Sequence, residues 1–249
     1  MKSSNLSWCL PPEALTLESN EVHVWRIALE LPVARIQSLL ATLTAEECAR
    51  AERFRFQKDR EHFIVGRGSL KAILSGYLNM AADQLRFRYA RYGKPSLVPI
   101  AGVEPLNFNL SHSGGLALCA VTRGRELGVD IEHMRPKVAL IKIAERFFSP
   151  RESAELRALP VECQPKAFFN CWTRKEAIIK AKGGGLSIPL SEFDVSLVDG
   201  QPAALLSTKW DAQETARWSL QELHPGAGYV AALAVEGHDW HLNCWQWEL

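Results

Sequence analysis

The run Gly128-Val129-Asp130-Ile131-Glu132 sets two carboxylates two residues apart inside an apolar stretch. In an extended strand, residues i and i+2 share a face. Asp130 and Glu132 therefore project together, while Val129 and Ile131 pack the other way. Neighbouring carboxylates repel each other and resist burial unless a cation or strong donors offset them. A hard divalent cation such as Mg²⁺ takes oxygen ligands, often one or two carboxylates plus substrate phosphates. The same spacing also suits a half-exposed strand with a solvated acidic face, and spacing alone does not choose. A second row lies between Phe168 and Lys182, where Trp172, Glu176 and Lys180 recur every fourth residue with Lys175 adjacent. On a helix these form one stripe. Phe168, Phe169, Ile178 and Ile179 bury much of that helix, so the stripe either faces a cleft or is a Glu176–Lys180 pair beside a core tryptophan. In the first reading Glu176 is a third oxygen ligand, with two lysines nearby for phosphate.

The segment Phe108-Asn109-Leu110-Ser111-His112-Ser113-Gly114-Gly115 places a polar turn between two apolar strands. It offers a hydroxyl, an imidazole and backbone N–H groups to an anion. A lone histidine in such a place is more often structural than functional. No GxSxG elbow accompanies it, and neither a Walker A loop nor a GxGxxG follows a strand. His238 and His241 have no companion ligands for zinc. The six cysteines contain no CxxC pair, and four sit in apolar or helical stretches as small hydrophobes.

The elements that must hold these residues follow from periodicity and punctuation. Residues 21–30 read as an opening strand. Thr44 with Glu47 forms a capping box at a helix start, and residues 59–78 read as a longer helix with Phe63, Leu70, Ile73, Leu74 and Tyr77 inside. Residues 84–90 alternate as a strand closed by the turn Tyr92-Gly93-Lys94-Pro95. Two short strands flank the His112–Gly115 turn, and 127–134 is another. Residues 137–148 and 165–183 read as helices, the second stopped by Gly183-Gly184-Gly185. Residues 192–198 and 228–235 return to strands. Helices and strands mix without a regular βαβ alternation, which predicts an α+β fold. Trp240, Trp245 and Trp247 mark a terminal tail, 236–249, that packs back on the body.

The chain has 249 residues and a formal net charge of +1, which argues against a broad nucleic-acid binder. The average conceals sorting. Residues 50–94 hold eleven basic side chains against Glu52, Asp59, Glu61 and Asp83, a net +7, so the remainder carries −6. That stretch is either a solvated helix face or a basic surface for an anionic ligand. No apolar run reaches the ~18 residues of a membrane span, and the N-terminus lacks the apolar region of a secretory signal. A cytoplasmic, reduced protein without membrane contact is expected. An internal echo is also visible: 53–61 with 146–155, 68–78 with 175–186, and 110–121 with 223–235. It predicts two similar α+β subdomains related by pseudo-two-fold symmetry, residues 1–125 and 126–235, with the active site in the cleft between them.

Taken in order, Tyr92-Gly93-Lys94-Pro95, Phe108–Ser113, Gly128–Glu132, Arg146-Phe147-Phe148-Ser149, Trp172-Thr173-Arg174-Lys175-Glu176-Ala177, Lys180 and Gly184–Ser187 resemble the 4′-phosphopantetheinyl transferases, specifically the large Sfp-type branch. The likeness spans roughly residues 50 to 235, and WxxKEA some forty residues after GVDIE is its most specific piece. The resemblance implies transfer of the 4′-phosphopantetheine arm of coenzyme A to a serine hydroxyl of an apo acyl or peptidyl carrier protein, releasing adenosine 3′,5′-bisphosphate. It implies Asp130, Glu132 and Glu176 as ligands of Mg²⁺, with Asp130, Glu176 and Lys180 catalytic. Glu176 would accept the serine proton directly or through a metal-bound water. Lys180 matches a phosphate-binding lysine, and Lys175 lies in the same motif. Ser111 and His112 match positions near the 3′-phosphate, and Lys94 and Pro95 match the adenine pocket. From the basic stretch, Arg60 and Arg67 are taken as phosphate contacts, with His62 at a position that is basic in some relatives. Both halves of the cleft come from one chain, which implies a monomer. The competing reading is a non-catalytic coenzyme A or carrier-protein binding module of the same fold.

Overall fold

The computed structural model describes residues 7–135 and 139–248, without the Leu186 side chain. Residues 137 and 138, expected to open a helix, the first six residues, and the Leu186 side chain of the glycine motif lie outside the described residues. In chain order the elements are β1 (Glu21–Ala28), α1 (Val33–Leu40), α2 (Ala45–Glu52), α3 (Gln57–Leu78), β2 (Phe87–Tyr89), β3 (Pro95–Leu97), β4 (Leu106–Ser113), β5 (Leu116–Arg123) and β6 (Leu127–His133). They continue with α4 (Leu140–Phe147), α5 (Pro150–Ala158), α6 (Gln164–Lys182), β7 (Phe193–Val195), β8 (Leu205–Thr208), α7 (Glu214–Arg217), β9 (Trp218–Leu223), β10 (Tyr229–Glu236) and β11 (His241–Gln246).

Two sheets carry the architecture. One has the order β11-β1-β5-β4 and the other β6-β10-β9. All pairings are antiparallel except β1 with β11. The central strands are apolar on both faces because both are covered. In β5, Ala117, Cys119 and Val121 join Leu70, Ile73 and Leu74 of α3 in one core. Leu118 and Ala120 of the same strand meet Val129, Ile131, Ala231 and Leu233 of the second sheet in another. In β10, Val230, Ala232 and Ala234 turn instead toward Ile178 and Ala181 of α6. The layers thus run α3, sheet, sheet, α6, and each strand's period of two sends alternate residues to different cores.

The repeat expected from the echo is present in topology. The order β1-β5-β4 with α3 corresponds to β6-β10-β9 with α6. The echoed hairpin segments fall on β4–β5 and β9–β10, and the second echoed pair on α3 and α6. The first pair does not correspond: 53–61 leads into α3, whereas 146–155 leads into α5, a separate helix ahead of α6. Local punctuation behaves as expected at both ends of helices. Thr44 and Glu47 close a capping box on α2, and Ser149 with Glu152 does the same on α5. Gly183 ends α6 in the left-handed conformation at φ +67°, which glycine reaches without steric cost.

Two expectations change. The terminal tail does more than cover the body, since β11 adds to the first sheet as a parallel strand beside β1. The strand expected over 84–90 shrinks to Phe87–Tyr89, because Ala82–Gln84 turns in a 3₁₀ helix before it.

Gly128 is where β6 touches α6. A Cβ there would lie 2.2 Å from the Ala177 carbonyl oxygen and 2.3 Å from the Ala181 nitrogen. Both are backbone atoms of α6 and have no rotamer with which to retreat. Gly128→Ala is expected to lower unfolding free energy by about 3 kcal/mol, the upper part of the usual overpacking range. Gly66→Ala, within α3, adds a Cβ at ordinary contact distance, 3.8 Å from Leu29. It is expected to be neutral or to stabilise by about 0.5–1 kcal/mol. Urea unfolding of both variants checks the contrast.

Candidate active site

The chemistry sits on the seam between the two sheets. β4 is an edge of the first sheet and β6 an edge of the second. With Val129 and Ile131 committed to the inter-sheet core, Asp130 and Glu132 turn toward α6, as the strand period requires. Asp130 is buried, and its Oδ1 accepts from Ser111 Oγ at 2.9 Å and from Lys180 Nζ at 2.5 Å. Its Oδ2 is buried with no hydrogen-bond partner. Lys180 also donates to Ser111 Oγ at 2.8 Å and to the Val129 carbonyl at 3.3 Å. Glu132 Oε2 accepts from Ser113 Oγ at 2.8 Å.

Glu176, one turn before Lys180 on α6, is half-buried. Burial raises its carboxyl pKa, the charge of Asp130 raises it further, Lys180 pulls it down, and Glu132 adds to the rise. Burial likewise raises Glu132, against the Ser113 hydrogen bond, and Asp130 adds to it. Glu132 and Glu176 therefore both feel the charge of Asp130, and Glu176 that of Glu132 as well. Among the described residues, however, no group of three or more His, Cys, Asp or Glu side chains is arranged to hold a metal ion. The positive charge bonded to the cluster is the Lys180 ammonium, and Arg135 acts on Glu132 from the neighbouring cavity wall.

Two cavities flank this cluster. One, of about 280 Å³, is lined by Tyr92, Lys94, Pro95, Glu176, Lys180 and Gly185 among others. The second, of about 260 Å³, is mostly apolar and lined by Glu132, His133, Ile143, Phe168, Phe169 and Trp172. The Tyr92 turn reaches the site because Gly185, at φ +52°, leaves room for it: a Cβ there would lie 2.8 Å from the Tyr92 Cβ.

The structure thus brings together Asp130, Glu132, Glu176, Lys180, Ser111, Lys94 and Pro95. Lys94 does so as a clamp between the halves, its ammonium donating to Glu126 at 3.0 Å, to the Ala181 carbonyl at 3.1 Å and to the Leu127 carbonyl at 3.3 Å. His112 is exposed at the rim, yet enough protein surrounds its ring that burial, then Lys180 and His62, lower its pKa. His62 is lowered by burial and by Lys58, and its Nε2 is buried without a partner.

Three expected phosphate contacts lie elsewhere. Lys175 is fully buried, paired with Glu152 at 2.8 Å and donating to the carbonyls of Leu190 (2.7 Å) and Phe193. One residue along a helix is a rotation of about 100°, so Lys175 cannot share the face of Glu176. Its own neighbours four residues away, Cys171 and Ile179, are buried, and that pattern is the signal that marks it as internal. Arg67 is buried too, donating to Tyr89 Oη at 2.8 Å, 3.5 Å from Glu47, and lying over the Phe87 ring. Arg60 points outward to Glu52 on the protein surface. With Lys71 also buried against Glu47 and the Thr42 carbonyl, part of the +7 of residues 50–94 is spent inside the fold.

Comparison with known proteins decides the family. The model of the 4′-phosphopantetheinyl transferase superfamily matches residues 126–234, and that of the 4′-phosphopantetheinyl transferase N-terminal region matches 32–123. The chain is 45% identical over 241 residues to the 4′-phosphopantetheinyl transferase HetI of Nostoc sp., covering 97% of this chain and 98% of that one. The chain belongs to the 4′-phosphopantetheinyl transferase family. A putative 4′-phosphopantetheinyl transferase of Synechocystis sp. is 34% identical over 80% of this chain and 78% of its own. The 4′-phosphopantetheinyl transferase Sfp of Bacillus subtilis is 31% identical over 72% and 79%. The family's reaction, transfer of phosphopantetheine from coenzyme A to carrier proteins, is the reaction of this chain. In the transferase, Asn109 and Ser113 of the Phe108–Ser113 motif also bond to β6, a role that the motif alone does not reveal. Their spacing of two from Ser111 on one strand is the signal that places all three on the same face.

Two outcomes follow. Lys175→Ala leaves Glu152 buried without its ammonium partner, so it is expected to cost about 3–5 kcal/mol in unfolding free energy. Lys180→Ala, which strips the ammonium from buried Asp130 at a partly open cleft, is expected to fall toward the lower end of that range. A carboxyl whose folded pKa lies above its unfolded one binds protons more tightly when folded. Its contribution to stability is therefore favourable in acid and is lost as pH rises through the folded pKa. Glu176→Gln removes that loss, so it is expected to melt above wild type at neutral pH, by about 2–4 °C per kcal/mol relieved. The gain should shrink in acid, where native Glu176 is already protonated; calorimetry across pH checks both.

Proposed function

We propose that the transferase holds coenzyme A in the cleft of Tyr92, Lys94, Pro95 and Lys180, and passes its phosphopantetheine arm across the carboxylates toward the apolar cavity beside Trp172. The observation that carries this reading is the orphaned Asp130 Oδ2. A buried, unpaired carboxylate oxygen costs about 1–3 kcal/mol or more, and a cation facing it removes that cost. The donor types suit Mg²⁺, three carboxylates with no sulfur or imidazole, and an ion would have to draw them together from the arrangement they hold here. Asp130, Glu132 and Glu176 would hold the ion. Once bound, it would offset negative charge growing on the diphosphate.

The chain's own groups do the rest. Lys180, bonded to Ser111 and Asp130 in the free chain, would hold a phosphate oxygen by exchanging Asp130 for it. In the transfer, the serine oxygen of the carrier forms a bond to the phosphorus bearing the pantetheine arm as the bridging P–O bond breaks. The serine proton passes to the Glu176 carboxylate at the cleft wall, directly or through a water. Adenosine 3′,5′-bisphosphate then leaves. His112, and His62 whose charge it feels, are held toward the neutral form, and a 3′-phosphate dianion bound beside them would raise both. The carrier, acyl or peptidyl, meets the seam as a separate protein while the transferase stays a monomer, since one chain supplies both walls. Six unpaired cysteines agree with work in the cytoplasm.

Incubating the protein with coenzyme A, Mg²⁺ and apo acyl or peptidyl carrier proteins, then weighing the carrier, tests the reading. A phosphopantetheine mass gain is expected, with turnover cut roughly a thousandfold or more in Asp130→Asn. Coenzyme A binding without a mass gain on any carrier would favour a binding module. Full activity in Asp130→Asn would remove the metal assignment.

A further inference from the structure

The two edge strands that meet at the seam belong to different sheets, yet they are in register. Along β4, Asn109, Ser111 and Ser113 occupy alternate positions on one face. Asn109 Oδ1 accepts from the Val129 N–H at 2.9 Å. Ser113 Oγ accepts from the His133 N–H at 3.0 Å. The offset is the same at both ends, so β6 runs beside β4 in parallel with side chains standing in for a backbone ladder. Between these ends, Ser111 Oγ reaches Asp130 and Ser113 Oγ reaches Glu132 Oε2 at 2.8 Å. The row therefore does two things: it sets the register of one half against the other, and it points both strand carboxylates.

Ser113 is the member with the least freedom. Its single hydroxyl proton goes to Glu132 while a lone pair receives the His133 N–H. A hydroxyl carries one donor and two acceptor sites, so this pair of bonds fixes its rotor and, through it, one oxygen of Glu132. Glu132 has no lysine of its own: the nearby Lys180 is bonded to Asp130 and Ser111. Gly114 beside it keeps the hairpin close to Tyr229 and His133, where a Cβ would lie 2.7 Å from Tyr229 Oη and 3.2 Å from the His133 Cβ. Tyr229 Oη in turn accepts from the Gly115 N–H at 3.0 Å. The hairpin end that carries Ser113 is thus held to the second sheet from both sides.

We infer that Ser113 is a positioning residue for Glu132, and that the Asn109–Ser111–Ser113 row assembles the carboxylate site by clasping the two halves. The inference rests on the proposed metal role of Asp130, Glu132 and Glu176. Hydrogen bonds of this kind orient carboxylate ligands, and their loss commonly weakens metal affinity or activity by about 10–100-fold.

The test is Mn²⁺ binding to the full chain in the presence of coenzyme A, followed by electron paramagnetic resonance without any carrier protein. Ser113→Ala should weaken Mn²⁺ binding at least about tenfold and raise the Mg²⁺ needed for half-maximal transfer by a similar factor. Ser113→Thr, which keeps the hydroxyl, should restore both. A merely structural serine would lower the melting temperature and leave the Mn²⁺ titration where it was; that outcome overturns the inference. Should Ser113→Ala fail to fold, Ser113→Cys, near in volume but a weak donor, takes its place with the same expectations. Asp130→Ala serves as the control. If it binds Mn²⁺ as tightly as wild type, the ion lies elsewhere and the metal reading falls whatever Ser113 does. If Asp130→Ala loses the ion while Ser113→Ala keeps it, only the positioning role falls.

Discussion

At Gly128 the backbone of β6 lies against the backbone of α6 with no side chain between them. That approach brings the strand residues Asp130 and Glu132 within electrostatic reach of the helix residues Glu176 and Lys180. A Cβ at Gly128 would hold the two elements apart and lengthen the Lys180–Asp130 bond of 2.5 Å. The rest of the second half supports this contact. Ile178 and Ala181 settle on Val230, Ala232 and Ala234 of β10, while Lys175 ties α6 to the segment leading into β7 through Glu152 and two carbonyls.

The cluster so formed is electrostatically unfavourable by itself. Burial and mutual repulsion raise the proton affinity of Glu132 and Glu176, and Asp130 keeps one oxygen without a partner. Stability is surrendered locally, as is common where a site is built for a charged ligand. Cores on both sides make that tolerable. The first half closes over α3 with Trp25, Leu70 and Leu74, the second over α6 with Phe168 and Ile178, and a third core joins the sheets. Rigid layers around a strained seam are what a reaction needing aligned oxygens requires.

The duplicated topology explains how one chain supplies both walls of the seam. β4 comes from one repeat and β6 with α6 from the other, so the seam exists only when both halves are present. The side-chain row of Asn109, Ser111 and Ser113 makes that joint specific: a slip by one residue would turn all three away from β6.

Local spacing was enough to read Asp130 and Glu132 as a pair, Glu176 and Lys180 as a row, the capping box at Thr44 and the stop at Gly183, because each depends on residues a few positions apart. The mixed α+β class and the repeat were legible for the same reason: periodicity and echo survive in one dimension. Which basic residues reach the cleft was not. Lys175 and Glu176 are neighbours in one motif, yet helix rotation and the packing of β7 send one into the core and the other into the site. Arg67 is claimed by Glu47 and Tyr89, partners twenty or more residues away in either direction. Ser113 meets Glu132 across nineteen residues and two sheets. Chemical groups and their local phase are written in the chain order; which of those groups face the same space depends on packing, which pairs distant charges and buries some of them.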